Sequence, residues 1–166
     1  MSASFILCER TSRWAAAFRR ESRKESGGAF AAGHFDRPQF SRRENSSRPH
    51  STLPLQEVRS LVQCQSELEA SPCSVVAVEV LPQNIAVVAR SLSDWSLRFP
   101  HARFMVLAAR GLEDHDLLMR ESGALEVAYS PRKLLPLVRL IGRHLARAPK
   151  TEQTLEEAIW GGLPWS

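Results

Sequence analysis

The chain reads as an α/β protein built on a parallel sheet covered by helices on both faces. Three observations predict that class. Between Ser74 and Arg147, short apolar runs alternate with amphipathic helical runs, the order expected of successive strand–helix units. The run Ser74–Val80 is apolar on both faces, as a central parallel strand must be. Pro72, Pro100, Gly123 and Pro131 punctuate the runs where helices should stop or start.

Taken in order, Ser4–Cys8 (Ser-Phe-Ile-Leu-Cys) is short, apolar and suited to a first strand. Thr11 or Ser12 can cap the helix that follows, whose inward stripe is Trp14, Ala17, Phe18 and Glu21. From Glu25 to about Thr52 the periodicity breaks down. Gly27-Gly28, Gly33, Pro38, Ser46-Ser47 and Pro49 lie among arginines and isolated phenylalanines, a composition suited to a mobile, disordered insertion. A second strand is required somewhere before the next helix, and Arg48–Leu53 is its best candidate. Leu55–Leu68 then reads as a helix with Leu55, Val58, Leu61, Val62, Gln65 and Leu68 on one side.

After the strand Ser74–Val80, Pro82–Phe99 reads as a helix with Ile85, Val88, Leu92, Trp95 and Phe99 spaced by three and four. Arg103–Ala108 is the next strand and Leu112–Ser122 an acidic-starting helix, with Gly123 as its left-handed cap. Leu125–Tyr129 is the last strand. The last helix starts at Pro131 or Arg132 and runs to about Arg147, with Leu134, Leu135, Val138, Ile141 and Leu145 as its apolar positions. The expected organisation is therefore 1–24 and 53–148 as one sheet-based domain, 25–52 as an insertion and 149–166 as a tail.

A hydrophobic fraction of 43% and a charged fraction of 24% over 166 residues are ordinary for a globular domain with a core of its own. No apolar run approaches the roughly 20 residues that span a bilayer, and the N-terminus lacks a basic segment before its short apolar patch. These features predict a cytoplasmic protein with no membrane association. Cys8, Cys64 and Cys73 form no Cys-x-x-Cys pair, which argues against a zinc knuckle or disulfide framework; each reads as a small buried or half-buried residue. In Glu113-Asp114-His115-Asp116, consecutive helical side chains diverge, so the segment reads as a helix start rather than a metal site. No metal or cofactor is expected. The net charge of +4 is uneven: residues 1–50 hold ten Lys/Arg against five Asp/Glu, leaving twelve against thirteen in the remainder.

The most specific segments are Phe104-Met105-Val106-Leu107-Ala108-Ala109-Arg110, Glu121-Ser122-Gly123-Ala124, and Tyr129-Ser130-Pro131 before a leucine-rich helix. With them the chain resembles the receiver domain of bacterial response regulators, best over residues 74–147 and also over 4–24. The resemblance implies a flavodoxin-like, doubly wound sheet of five parallel strands. It also implies where the chemistry of that family would lie. Two acids after the first strand help to hold magnesium, which takes oxygen ligands in near-octahedral geometry. An aspartate ending the third strand accepts the phosphoryl group. A hydroxyl after the fourth strand and a lysine after the fifth contact that group.

The matching positions here do not supply this set. Glu9-Arg10 replaces the acid pair, and a guanidinium adds positive charge where a divalent cation would bind. Counting back from Pro82 puts Val78 in the acceptor slot, whereas the hydrophobic run favours Glu79. Ala108 stands in the hydroxyl position and Ser130 in the lysine position. Pro131 alone survives of the Lys-Pro pair, at a bond that is often cis in the family. This pattern implies a degenerate pseudo-receiver: not an enzyme, and a phosphorylation-independent interaction or regulatory module with a protein partner or a second copy of itself. Glu79 is either an ion-pair partner of Arg10 or a hydrated strand-end carboxylate. Trp160, Leu163 and Trp165 in the tail would dock on a partner or fold back on their own domain, the latter favoured. The alternative is nucleic-acid binding through the Arg-rich insertion and Arg132, Lys133, Arg139, Arg143 and Arg147. It lacks interleaved aromatics for base stacking, so nucleic acid is the disfavoured partner.

Overall fold

Four consecutive buried residues, Phe5–Cys8, form strand β1, and the computed structural model, which describes residues 3–27 and 54–148, builds the sheet outward from it. The elements that follow are α1 (Arg13–Gly27), β2 (Leu55–Val58), α2 (Leu61–Ala70), β3 (Val75–Val80), α3 (Ile85–Arg98), β4 (Arg103–Ala108), α4 (Asp116–Glu121), β5 (Ala124–Ala128) and α5 (Leu135–Arg147). The five strands are all parallel, in the order β2-β1-β3-β4-β5. This is the flavodoxin-like doubly wound sheet that the resemblance implied.

The sheet separates two apolar layers. Ile6, Cys8, Val76, Val78, Val80 and Val106 face the side that packs Cys64 and Leu68 of α2, Val88, Leu92 and Trp95 of α3, and Met119 of α4. Phe5, Leu7, Val75, Ala77, Met105 and Leu107 face Trp14 and Phe18 of α1 and Leu137, Val138 and Ile141 of α5. Every residue of β3 is buried, in keeping with its central place. Full burial of one large apolar side chain contributes about 1.5–3 kcal/mol, so these two layers dominate stability.

The expected inward stripes of three helices are present. Trp14, Ala17, Phe18 and Glu21 are buried in α1; Val88, Leu92, Trp95 and Phe99 are buried along α3; Leu134, Val138 and Ile141 are buried along α5. Gly123 has φ +107 after α4, the left-handed cap conformation.

The second strand departs from expectation. Arg48–Leu53 lies outside the described residues, and Leu55–Val58, read as the first turn of a helix, is β2. Leu55 and Val58 are three residues apart, which mimics a helical stripe, but Phe5 to Cys8 pair with Leu55 to Val58. The helix begins only after Ser60, whose Oγ accepts from the Gln63 amide at 3.2 Å. Its inward stripe is Leu61, Cys64 and Leu68, and Val62, expected inside, is 77% exposed.

Three other boundaries also move. Pro82–Asn84 is a turn before α3, the segment Glu113–His115 is a 3-10 turn before α4, and Arg132 and Lys133 precede α5. The 25–52 insertion and the 149–166 tail, with Trp160, Leu163 and Trp165, fall outside the described residues apart from the end of α1. No helix among the described residues is long and apolar enough to cross a membrane.

Candidate functional site

In a sheet of this order, the connections leaving β1 and β3 run to opposite faces, and a crevice opens between the carboxyl ends of those two strands. The protein has a cavity there of about 270 Å³, lined by Cys8, Glu9 and Arg10 after β1, Arg59, Ser60 and Leu61 after β2, and Val78, Glu79, Leu81 and Asn84 from β3 and its loop. Glu9, Arg10 and Glu79 are thus brought together. Ala108, Ser130 and Pro131 do not line this cavity: Ala108 is buried at the end of β4, and Ser130-Pro131 forms a turn after β5.

Glu9 is 1% exposed, and both carboxylate oxygens are committed to the start of α1. Oε2 accepts from the Trp14 amide at 2.9 Å and Oε1 from the Ala15 amide at 2.8 Å. These amides belong to the first turn, where backbone donors have no intrahelical acceptor, and a carboxylate there also complements the helix dipole. Glu9 therefore does the capping expected of Thr11 or Ser12. Ser12 instead takes φ +56, and its Oγ accepts from Arg59 Nη2 at 2.6 Å. Arg59 Nη1 donates to the Glu9 carbonyl at 3.2 Å, so one guanidinium ties the β2–α2 connection to the β1–α1 loop.

Glu79 is buried, with 8% exposure, and its carboxylate reaches the same loop. Oε2 accepts from the Arg10 amide at 2.9 Å and Oε1 from the Thr11 hydroxyl at 3.2 Å. The expected link between Glu79 and Arg10 therefore runs through the Arg10 backbone, while the Arg10 side chain is exposed. Nor is Glu79 a merely hydrated strand end. Val78 faces the opposite layer, packed with Val76 and Val80. Asn84 closes the β3–α3 loop: its Oδ1 accepts from the Leu81 amide at 2.8 Å and its Nδ2 donates to the Glu79 carbonyl at 3.2 Å.

At the other strand ends, Ser130 Oγ accepts from the Arg132 amide at 3.3 Å, and the Ser130–Pro131 bond is trans. Tyr129 donates to Asp116 Oδ1 at 2.8 Å, fastening the end of β5 to α4. Asp116 also pairs with Arg120 at 2.7 Å. Burial, then the hydrogen bond to Asp116, pushes the Tyr129 phenol up to about 12. Hydrogen bonds from Arg120, then Tyr129, hold the Asp116 carboxyl below its ordinary range. The basic residues Arg132, Lys133, Arg139, Arg143 and Arg147 are all exposed.

Arg59 and Asn84 are not singled out by the sequence, and Thr11 is read there only as a helix cap. Placing β2 at Leu55–Val58 would have put Arg59 just beyond a strand end, on the rim of the crevice.

No protein-family model matches the chain, and no curated protein matches it. Among solved structures it is similar to a CheY-like protein, TadZ, from Pseudomonas aeruginosa PAO1, with 14% sequence identity and a TM-score of 0.51. The similarity covers 90% of this chain and 98% of that one.

Proposed function

We propose that this receiver-like fold serves as a regulatory module that works without phosphorylation, through contact with a protein partner, and catalyses no reaction. One observation carries the reading: the two carboxylates at the carboxyl rim are already spent on the fold. Glu9 caps α1 and Glu79 anchors the β1–α1 loop. A magnesium-dependent phosphoryl site needs carboxylate oxygens free to enter an octahedral shell, and redirecting either residue would break two hydrogen bonds. Ala108 and Ser130 supply neither the hydroxyl nor the lysine that receiver chemistry uses.

The contact surface that fits this role is the β5–α5 edge. Strand β5 is the outermost on its side and leaves a groove of about 540 Å³ lined by Glu126, Tyr129, Lys133, Leu137 and Leu140. Leu117, Leu118 and Leu125 lie exposed on α4 and β5. A mixed apolar and charged groove beside an open strand suits a protein partner or a second copy of the chain.

The test has two arms. Incubation with acetyl phosphate and magnesium, read by intact mass, should leave the chain unmodified; a stable adduct on Glu79 would overturn the phosphorylation-independent reading. Affinity capture with the full chain should recover a partner or a self-associated dimer, and Lys133→Glu, at an exposed position lining the groove, should reduce that recovery several-fold without changing the melting temperature of the bait. Recovery undiminished by the substitution would remove the β5–α5 edge as the contact surface.

A further inference from the structure

We propose that residues 149–166, which follow α5, fold back onto the β5–α5 groove of their own domain and cover it with Trp160 and Trp165. The inference deepens the function proposed above and rests on it for one consequence: a partner must displace this segment to reach the edge.

The groove suits an occupant that is both apolar and acidic. Its volume of about 540 Å³ lies within the roughly 300–1,000 Å³ of pockets that bury a drug-sized group. Ala128, Leu137 and Leu140 line it, with Pro136 exposed beside them. Glu126, the acid on its wall, already faces Arg120 at 3.6 Å. Lys133 lines it too, is exposed, and has no ion-pair partner among the described residues. From Pro131 to Ala148 the chain carries Arg132, Lys133, Arg139, Arg143 and Arg147 and no Asp or Glu.

Residues 149–166 have the matching chemistry. They hold Glu152, Glu156 and Glu157 against Lys150 alone, together with Leu155, Ile159, Trp160, Leu163 and Trp165. Opposite charge on the two surfaces favours their approach and fixes which surface is met. The other two tryptophans, Trp14 and Trp95, are buried in the two layers of the domain. An indole left in water forgoes the large apolar contribution that its burial makes.

The tether reaches. Leu140 and Leu137 lie seven and ten residues before Arg147, roughly 10 and 15 Å back along α5. The twelve residues 149–160, when extended, span about 40 Å, so Trp160 can return to the groove on a slack connection. A segment tethered this closely meets its site at an effective concentration in the millimolar range, well above that of a second copy in dilute solution. The occupant is therefore the chain's own segment rather than a second molecule.

Acrylamide quenching of tryptophan fluorescence in the full chain reads the docking without any partner. Trp14 and Trp95 are 3% and 2% exposed, so quenching at the rate of free tryptophan can come only from Trp160 and Trp165. No such fraction is expected in the wild type at any dilution. Hydrogen exchange gives the location: Trp160→Ala/Trp165→Ala should speed exchange across Ala124–Tyr129 several-fold and leave the Leu55–Val58 edge unchanged. A free-tryptophan fraction in the wild type, or an exchange change confined to other elements, would overturn the proposal. Shielding that disappears on dilution would overturn it in favour of a second copy. In affinity capture the same variant should recover several-fold more partner than the wild type; equal recovery would overturn the masking. A bait that captures nothing in either form would sink the function proposed above, while the quenching and exchange results decide the docking by themselves.

Discussion

The Glu79 carboxylate accepts the backbone N–H of Arg10 at 2.9 Å, so the end of the central strand is joined to the loop after β1 by a charged acceptor and an amide. The Thr11 hydroxyl occupies the second oxygen. Glu79→Ala leaves that half-buried amide without its partner, and the expected loss of stability is about 1–3 kcal/mol. Glu79→Gln keeps one acceptor and should lose less. Urea denaturation midpoints of the two variants check the order; equal midpoints would show that the carboxylate contributes nothing to holding the loop.

Glu9 should be as sensitive, for a different reason. Its removal strips the first turn of α1 of two acceptors and of a negative charge at the positive end of the helix dipole. Glu9→Ala is expected to cost about 1–3 kcal/mol. Slow amide exchange at Trp14 and Ala15 in the native protein should become fast in the variant. Unchanged exchange at those amides would refute the capping role.

Gly123 admits no side chain. Its φ of +107 is one that residues with a Cβ rarely adopt, and a Cβ there would overlap Ser96 Oγ and come within 3.0 Å of Ser96 Cβ. Gly123→Ala should destabilise by about 2 kcal/mol or more, combining backbone strain with overpacking. Thermal melts measure this directly, and Ser96→Ala on the same background should recover part of the loss. Full recovery would mean that the backbone strain is negligible.

Tyr129 is the only tyrosine in the chain, so phenolate absorbance reports on it alone. Its folded value of about 12 lies above the ordinary value near 10. A raised acid contributes its full stabilisation below the unfolded value and loses it as pH climbs through the folded one, so this contribution fades between about pH 10 and 12. Asp116 works in the opposite sense: its lowered carboxyl contributes above about pH 4 and loses that contribution on acidification. A native titration midpoint near 12 is expected, falling toward 10 in urea and partway in Asp116→Asn. A native midpoint near 10 would contradict the half-buried Tyr129–Asp116 bond.

The parallel sheet was legible wherever a strand was buried on both faces. Val75–Val80 and Arg103–Ala108 carry continuous apolar runs that a half-exposed helix would not tolerate. Strand β2 was not legible, because Leu-Gln-Glu-Val is an edge segment with half-buried residues whose spacing also satisfies a helix. At the candidate site, residue identity showed that Glu9 and Glu79 replace the receiver acids, but not that their oxygens are taken. That depends on the chain turning at Ser12 into a left-handed conformation and delivering the Arg10, Trp14 and Ala15 amides to them.

The strand order also governs where the chain tolerates extra length. Strand β2, on which the connection from α1 ends, is the outermost strand on its side of the sheet. Each doubling of such a loop costs only about 0.6 kcal/mol in closure entropy. A comparable insertion between β3 and α3 would pry Asn84 from Leu81 and Glu79 at the centre of the molecule. The periphery on the β2 side is therefore where this architecture can acquire new segments while the register of its inner strands stays unchanged.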